Sequence, residues 1–548
     1  MRRPTFRRRR MIAPAIIVLA LLAGCTAIPT GGGVQTVALD TDPDESLPIA
    51  RPPGPEDGQT PAELLQGFIS AGRAPQNLYQ IAQQYLTSDA IWSGTDRVLI
   101  SPTRIEPFAI DDDTLGITVS VVGEVDASGR YAATSSQQTL TYDFVTVDGQ
   151  PRIARADPGT VLTVSGFNGA FDEYPLYYFD ASFDFLVPDL RWFPKTRAVS
   201  NRIAVELVKD PAPWLGVGVL FSAFPQGTVA KADIDAPDIT VDLSAEARTE
   251  SPETQRRMIQ QLEASLGGLG TVTVTADGLA LSPGPEGVPP DSTYSVRPVI
   301  GGWEGQLGTL GSDGVTPLPT IGTRADVLVP TAASLSRLRD AVAVLGPAGV
   351  TLVTASGPAI PIDQRAGLLA PSLDPQGYVW TVPANDPGAL RATNAEGDVH
   401  TLPLPAEGTL VAADVSRDGA RLLVALSSPT GPRVFVIGIQ RNADLAPVVF
   451  GSALELPPSG TVLDATWVDG VRVAVLTGGP TGPRVEVLPL GGPTVDLGDV
   501  DDGVAIVGGD RTEGLRVLRS DGAVMRPSGA GSWVQVAGLS ASFLGTQQ

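Results

Sequence analysis

The chain has 548 residues, of which 61 are Gly and 49 are Pro, a density of helix-breaking residues that excludes a long all-α protein. With 43% hydrophobic and 18% charged residues it is too apolar to be disordered throughout, and its length suits roughly three or four domains. One Cys, one His and a net charge of −22 exclude a disulfide framework, a Cys/His zinc centre and a basic surface for nucleic acid.

Arg2, Arg3, Arg7, Arg8, Arg9 and Arg10 precede an apolar stretch over residues 11–24, the layout of a secretory signal peptide. As a helix, fourteen residues at about 1.5 Å each reach roughly 21 Å, short of the ~30 Å hydrocarbon core, so the stretch does not read as a membrane span. It ends in Leu22-Ala23-Gly24-Cys25, which resembles the bacterial lipobox. That resemblance implies cleavage after Gly24 and a diacylglycerol thioether on Cys25, the only cysteine of the chain. Acyl chains in one leaflet then hold the protein on the extracytoplasmic face of the cell membrane without crossing it. Loss of residues 1–24 removes six arginines and no acids, taking the net charge from −22 to −28.

Residues 25–59 read as a lipidated, flexible tether of Thr, Gly, Pro and Asp. Asp40, Asp42, Asp44 and Glu45 fail the EF-hand pattern, because Glu45 stands where Gly is needed and Arg51 where Glu is needed. A first, α+β domain is expected over residues 60–170. Thr60-Pro61-Ala62-Glu63 combines an N-cap, a first-turn proline and the Glu of a capping box. Leu64, Leu65, Phe68 and Ile69 share one face of the helix that follows, and Leu78, Ile81, Ala82, Tyr85 and Leu86 repeat the pattern in a second. Alternation then predicts strands near 97–100, 115–125, 131–146 and 152–157. Trp92, Tyr131, Tyr142 and Phe144 are read as core, with the lining of a cone-shaped pocket as the alternative.

Residues 171–294 form a second unit. Ala204-Val205-Glu206-Leu207-Val208-Lys209-Asp210-Pro211, Phe224-Pro225-Gln226-Gly227-Thr228, Val241-Asp242-Leu243-Ser244 and a helix over 251–266 resemble the GerMN domain of spore-germination and cell-envelope proteins. Ser251-Pro252 caps that helix, and Met258, Ile259, Leu262 and Leu266 fall on one face before it stops at Gly267-Gly268. The resemblance implies a small α/β layer and carries over no catalytic residue.

Residues 295–548 contain a repeat. Pro429-Thr430-Gly431-Pro432-Arg433-Val434 recurs as Pro480-Thr481-Gly482-Pro483-Arg484-Val485, 51 residues on, each copy after an apolar strand. With weaker copies, the strands start at 341, 378, 420, 471 and 504, spacings that fit a four-stranded blade with its loops. A β-propeller of five to six blades is expected, closed by strands from 295–330 and from 533–543 meeting in one blade.

Little in the chain carries chemistry. Lys195, Lys209 and Lys231 follow neither a P-loop nor a Ser-x-x-Lys pattern, and Gly216-Val217-Gly218 lacks a third glycine at Phe221. His400 lies in a turn and strand with no Gly-x-Ser-x-Gly elbow to partner it, and is read as packed or surface. Asp111-Asp112-Asp113 and Asp501-Asp502 are read as solvated turns, and Trp303 and Trp533 as ring-closing core, with a partner-docking channel mouth as the alternative. No catalytic residue, metal site or cofactor is expected.

Leu186-Val187-Pro188-Asp189-Leu190-Arg191-Trp192-Phe193-Pro194, at the start of the second unit, completes an order of parts that resembles the actinobacterial lipoprotein LpqB family over nearly the whole mature chain. The resemblance implies a non-enzymatic accessory of the MtrA–MtrB two-component system that touches the extracellular domain of the sensor kinase and affects envelope and division. It assigns no partner-binding residue. Two rivals remain open: an envelope glycan- or lipid-binding protein, and a carboxylate-dependent polysaccharide hydrolase whose two acids must face each other across a cleft.

Overall fold

The computed structural model describes residues 52–235, 237–284, 289–292, 298–311, 314–480, 482–509, 511–529 and 531–547. The signal peptide, Leu22, Ala23, Gly24, Cys25 and most of the tether lie outside them.

The first helix, Pro61–Ala71, starts on a closed capping box. Thr60 Oγ1 accepts from the Glu63 N–H at 3.3 Å, and the Glu63 carboxylate accepts from the Thr60 N–H at 2.9 Å. The Thr60 N–H and the Thr60 hydroxyl, both donating to the Glu63 carboxylate, hold it below its usual range. Leu64, Leu65, Phe68 and Ala71 are buried. The second helix, Gln76–Gln83, departs from the expected periodicity, because Asn77, Leu78 and Tyr79 adopt left-handed φ values of 48°, 55° and 63°. That turn sends Leu78 into solvent, 73% exposed, and puts Tyr79 in the core. A 3.6-residue pattern cannot anticipate it, since the phase resets within the turn.

The helices cover a curled sheet ordered Gln150–Ala156, Tyr131–Val147, Thr114–Asp126, Arg97–Ser101 and Thr160–Thr163, antiparallel except for the last pair. Phe68 sits at the centre of the core, its ring edge-on to Trp92 at 5.0 Å, Tyr142 at 6.0 Å and Tyr85 at 6.4 Å. Trp92, Tyr142 and Phe144 therefore fill the core. Tyr131 is separate, packed in another cluster with Phe167 and Trp192.

In the second unit a hairpin of Phe171–Phe179 and Phe185–Pro194 packs with the helix Val199–Leu207 against a sheet of Ala230–Asp235, Asp238–Leu243, Thr271–Ala276 and Leu279–Ala280. Ser251 caps the helix Pro252–Leu266 by accepting from the Thr254 N–H at 3.1 Å, and Met258, Leu262 and Leu266 are fully buried. Near the end of this unit, Asp291–Ser292 pairs in parallel with Phe185 and Leu186.

The third unit is largely all-β and built of four-stranded antiparallel sets, for example Thr409–Val415, Arg421–Ser428, Gly431–Arg441 and Pro447–Leu456, then Thr461–Trp467, Arg472–Gly479, Gly482–Pro489 and Val495–Asp499. The two sets pair alike beside the repeat, Ser428 opposite Gly431 in one and Gly479 opposite Gly482 in the other. Gly431 and Gly482 take φ of 121° and 118°, which favours glycine over any side chain. The copies read at 341, 378, 420 and 471 are second strands of their sets, whereas the one at 504 falls in a first strand, Gly503–Val507, whose second strand is Arg516–Arg519. An acid-Gly turn before an apolar run precedes either strand, so that signal alone mistakes the phase.

One strand, Trp533–Gln547, closes the ring. Trp533 and Ser540 pair with Pro527 and Ala523 in the final set, Ala541, Leu544 and Gly545 pair with Trp303, Gly301 and Ile300 in the first, and Thr546 and Gln547 run parallel to Ser334 and Leu335. Gly538, at φ 71°, lies between Gln535 and Ser540, where the register against Ala523–Pro527 shifts, and the pairing with the first set begins at Ala541.

Candidate functional site

The strand Phe185–Pro194 is where the three units meet. All of it except Pro194 is buried, although it carries Asp189 and Arg191. Two residues apart, these share a face of the strand and neutralise each other, Arg191 Nη2 donating to Asp189 Oδ2 at 2.5 Å. Arg191 Nη1 also donates to the Ser128 carbonyl of the first unit at 3.0 Å, and Asp189 accepts from the Ala212 N–H at 2.8 Å. Next to them the Trp192 N–H donates to Gly129 O at 2.7 Å, and its indole N–H donates to Gly491 O of the third unit at 2.7 Å. Gly129, at φ 82°, has to be glycine, since a Cβ there would lie 2.5 Å from the Phe193 ring.

Further contacts tie the second and third units. Glu173 pairs with Arg472, and burial pushes its carboxyl up against the pull of that arginine. Asp291 pairs with Arg337 at 2.6 Å, and that guanidinium lies over the Phe185 ring. Gly438 lets Trp214 and Val219 approach, for a Cβ there would lie 2.7 Å from Val219 Cγ2. A hollow of about 700 Å³ opens beside the Trp192–Gly491 joint, bordered by residues 131–135, 454–457 and 488–494.

Several buried acids of the third unit, and its histidine, are engaged in packing and internal bonds. His400 sits edge-on to Tyr378, ring centres 5.7 Å apart. Asp374 accepts from the Trp380 indole at 2.9 Å and from Arg441 at 2.7 Å; Asp363 binds Arg365 and, at 2.7 Å, Thr381. Asp418 and Arg421 form a fully buried pair. Asp414 and Asp464 lie on neighbouring first strands. Asp414 accepts from the Ser372 hydroxyl at 2.8 Å, and Asp464 accepts from the N–H groups of Ile506 and Ala465 at 2.8 and 2.9 Å. Burial, with a smaller push from Asp414, raises the Asp464 carboxyl to about 7.

Asp111, Asp112 and Asp113 are exposed in a turn, as are Asp501 and Asp502. Trp303 is buried, its indole donating to Gly308 O at 3.3 Å, while Trp533 is partly buried and donates to Leu497 O at 2.8 Å. Among the described residues no group of three or more His, Cys, Asp or Glu is placed to hold a metal ion, and no helix is long and apolar enough to cross a membrane. The sequence singles out the segment 186–194 at the start of the second unit, but its working partners, Ser128, Gly129, Ala212 and Gly491, carry no motif of their own and were missed.

An α+β unit and a small α/β layer joined through one buried strand to a ring of antiparallel sheets define a multidomain protein of the GerMN-plus-propeller class. The chain matches the family descriptions "Lipoprotein LpqB, N-terminal domain" over residues 54–168, "Sporulation and spore germination" over 175–282 and "Lipoprotein LpqB beta-propeller domain" over 305–542. It belongs to the lipoprotein LpqB family. It is 31% identical to Lipoprotein LpqB of Cutibacterium acnes over 50% of this chain and 47% of that one. Against Lipoprotein LpqB of Streptomyces coelicolor it is 25% identical over 86% of each chain. The match thus spans about half the length of the first of these relatives. Among solved structures, TolB from Acinetobacter baumannii aligns with 59% of this chain and 82% of its own, at 12% identity and a TM-score of 0.36.

Proposed function

We propose that the chain is a lipoprotein anchored through Cys25 on the extracytoplasmic face of the cell membrane, after loss of residues 1–24, and that residues 25–59 hold the body off the lipid. There it acts as a non-enzymatic accessory of the MtrA–MtrB two-component system by touching the extracellular domain of the sensor kinase. The carrying observation is the domain set of the LpqB family behind a lipobox-like start. The engagement of His400, Asp374, Asp418 and Asp464 in packing and internal bonds supports a binding role over a hydrolytic one. We read the ring as six-bladed, with the strand Trp533–Gln547 shared by two blades, a reading supported by its pairing on both sides.

The test is calorimetric titration of the Cys25→Ser mature chain with the kinase's extracellular domain. Saturable binding at micromolar affinity or tighter is expected, and absence of heat at high micromolar concentrations overturns the proposal. A glycan- or lipid-binding role is the second reading, favoured by the hollow beside the Trp192–Gly491 joint.

A further inference from the structure

The helix Pro61–Ala71 has two faces with different surroundings. Leu64, Leu65 and Phe68 enter the core. Gln66, Ile69, Ser70 and Arg73 recur at i, i+3, i+4 and i+7, the spacing of a single stripe, which continues past the helix end because Gly72 keeps helical backbone angles. This stripe lines a hollow of about 400 Å³, with residues 161–163 and Arg104 and Ile105 completing the wall.

The hollow combines cationic groups with an apolar floor. Ile105, Val161 and Leu162 are buried beneath it. Arg73 has no carboxylate partner among the described residues; its Nε reaches only the Ser70 carbonyl, at 3.4 Å. Its stem crosses Gly166, where a Cβ would lie 3.4 Å from Arg73 Cδ. Arg104 Nε lies 3.3 Å from Glu106 Oε1, but the two side chains are 79% and 66% exposed, and Glu106 is also held by Gln66 Nε2 at 3.0 Å. An exposed ion pair is worth little, so an incoming oxyanion can take the guanidinium from it. In a chain of net charge −22, two guanidinium groups against the single Glu106 carboxylate leave the hollow locally cationic.

We propose that this hollow binds a small ligand carrying a phosphate or carboxylate on a short apolar stem. The oxyanion lies between Arg73 and Arg104 with the hydroxyls of Ser70 and Thr163 beside it, and the stem rests on Ile69, Ile105 and Val161. Guanidinium forks suit such oxyanions geometrically. The proposal is independent of the kinase reading, since its residues and ligand differ from those of a protein partner.

Calorimetry on the Cys25→Ser mature chain tests it with three water-soluble probes, monomeric dihexanoyl phosphatidate, hexanoate and inorganic phosphate, and co-sedimentation tests it with phosphatidylglycerol vesicles. Dihexanoyl phosphatidate should bind saturably, and more tightly than inorganic phosphate. Arg73→Gln should weaken it about 10-fold or more and Arg104→Gln several-fold, with Arg73→Lys between Arg73→Gln and wild type, while Arg155→Gln, at an exposed arginine bound to Asp143, leaves it unchanged. If Arg73→Gln does not fold, Arg104→Gln, at an exposed position, gives the same readout. Arginine-dependent binding of vesicles identifies a lipid headgroup as the source and arginine-dependent binding of the monomers alone a free solute; either supports the site. No binding of any probe at millimolar concentration, or binding untouched by both arginine substitutions, overturns it.

Discussion

Replacing Arg421 by Met should be among the most damaging single changes in the ring. Arg421 is fully buried, and Asp418 is 1% exposed. Besides Asp418, the guanidinium donates to Gly470 O at 2.6 Å and faces the Trp467 ring at 5.1 Å. Asp418 keeps two other donors when Arg421 is lost, Ser416 Oγ at 2.6 Å and the Ala420 N–H at 2.9 Å, but its charge is left uncompensated in the core. Breaking such a pair from one side costs about 3–5 kcal/mol, whereas replacing both partners by groups of similar volume is nearly neutral. Arg421→Met should therefore lose about 4 kcal/mol, Asp418→Asn about 3 kcal/mol, and the double variant much less than the sum, a coupling of about 2 kcal/mol or more. The assay is urea unfolding followed by circular dichroism, with hydrogen exchange of the strand Arg421–Ser428 to localise the loss, because a multidomain chain need not unfold in two states. A loss below about 1 kcal/mol in either single variant, or strict additivity in the double, would refute the assignment of this pair as a closed charge pair.

Four further outcomes are expected. The Asp464 carboxyl, raised to about 7, stays protonated in the folded chain where the unfolded chain has released its proton, so this group lowers stability as pH rises from about 4 to about 7, by at most ~1.4 kcal/mol per unit. Asp464→Asn should remove that slope in melting curves taken across the range, and parallel profiles for the two proteins would contradict it. Trp192→Phe deletes the indole bond to Gly491 and should cost about 1 kcal/mol, with faster hydrogen exchange near residues 489–492; unchanged exchange there would argue against the joint. Gly438→Ala should push Val219 away and cost about 1–3 kcal/mol, read as a lower midpoint for the second and third units together. Cys25→Ser should move the protein from the detergent phase to the aqueous phase, and unaltered partitioning with unaltered intact mass would reject the lipid anchor.

How much was legible depended on how local each determinant was. The capping box at Thr60 and Glu63 and the cap at Ser251 need only four consecutive residues, and the hairpins at Gly431 and Gly482 need one glycine in a left-handed turn. Closure by 533–543 was readable because a ring of sheets leaves its first and final strands nowhere else to pair. The left-handed turn over Asn77, Leu78 and Tyr79 was not, since none of these residues announces it and the surrounding core selects it. The joint was half legible: its strand is conspicuous in sequence, while Gly491 lies 299 residues from Trp192 and offers only a carbonyl oxygen. Arg73 was overlooked because the helix was read for its apolar stripe alone.

The ring's closing strand also sets an order of events in time. The first set of strands waits for a partner about 240 residues downstream, as the contact of Ser542 with Gly302 marks. As the chain grows from its N-terminus, the strands and helices of the first two units are all present long before the ring can shut. During that interval the Trp192 indole lacks its acceptor at Gly491, and unpaired strand edges lie open to other chains. Contacts of such sequence separation form slowly, because the entropy of closing the loop precedes any gain. The vulnerable species is thus a nascent protein whose ring is still ajar, its edges open until residues 541–547 arrive to pair with them.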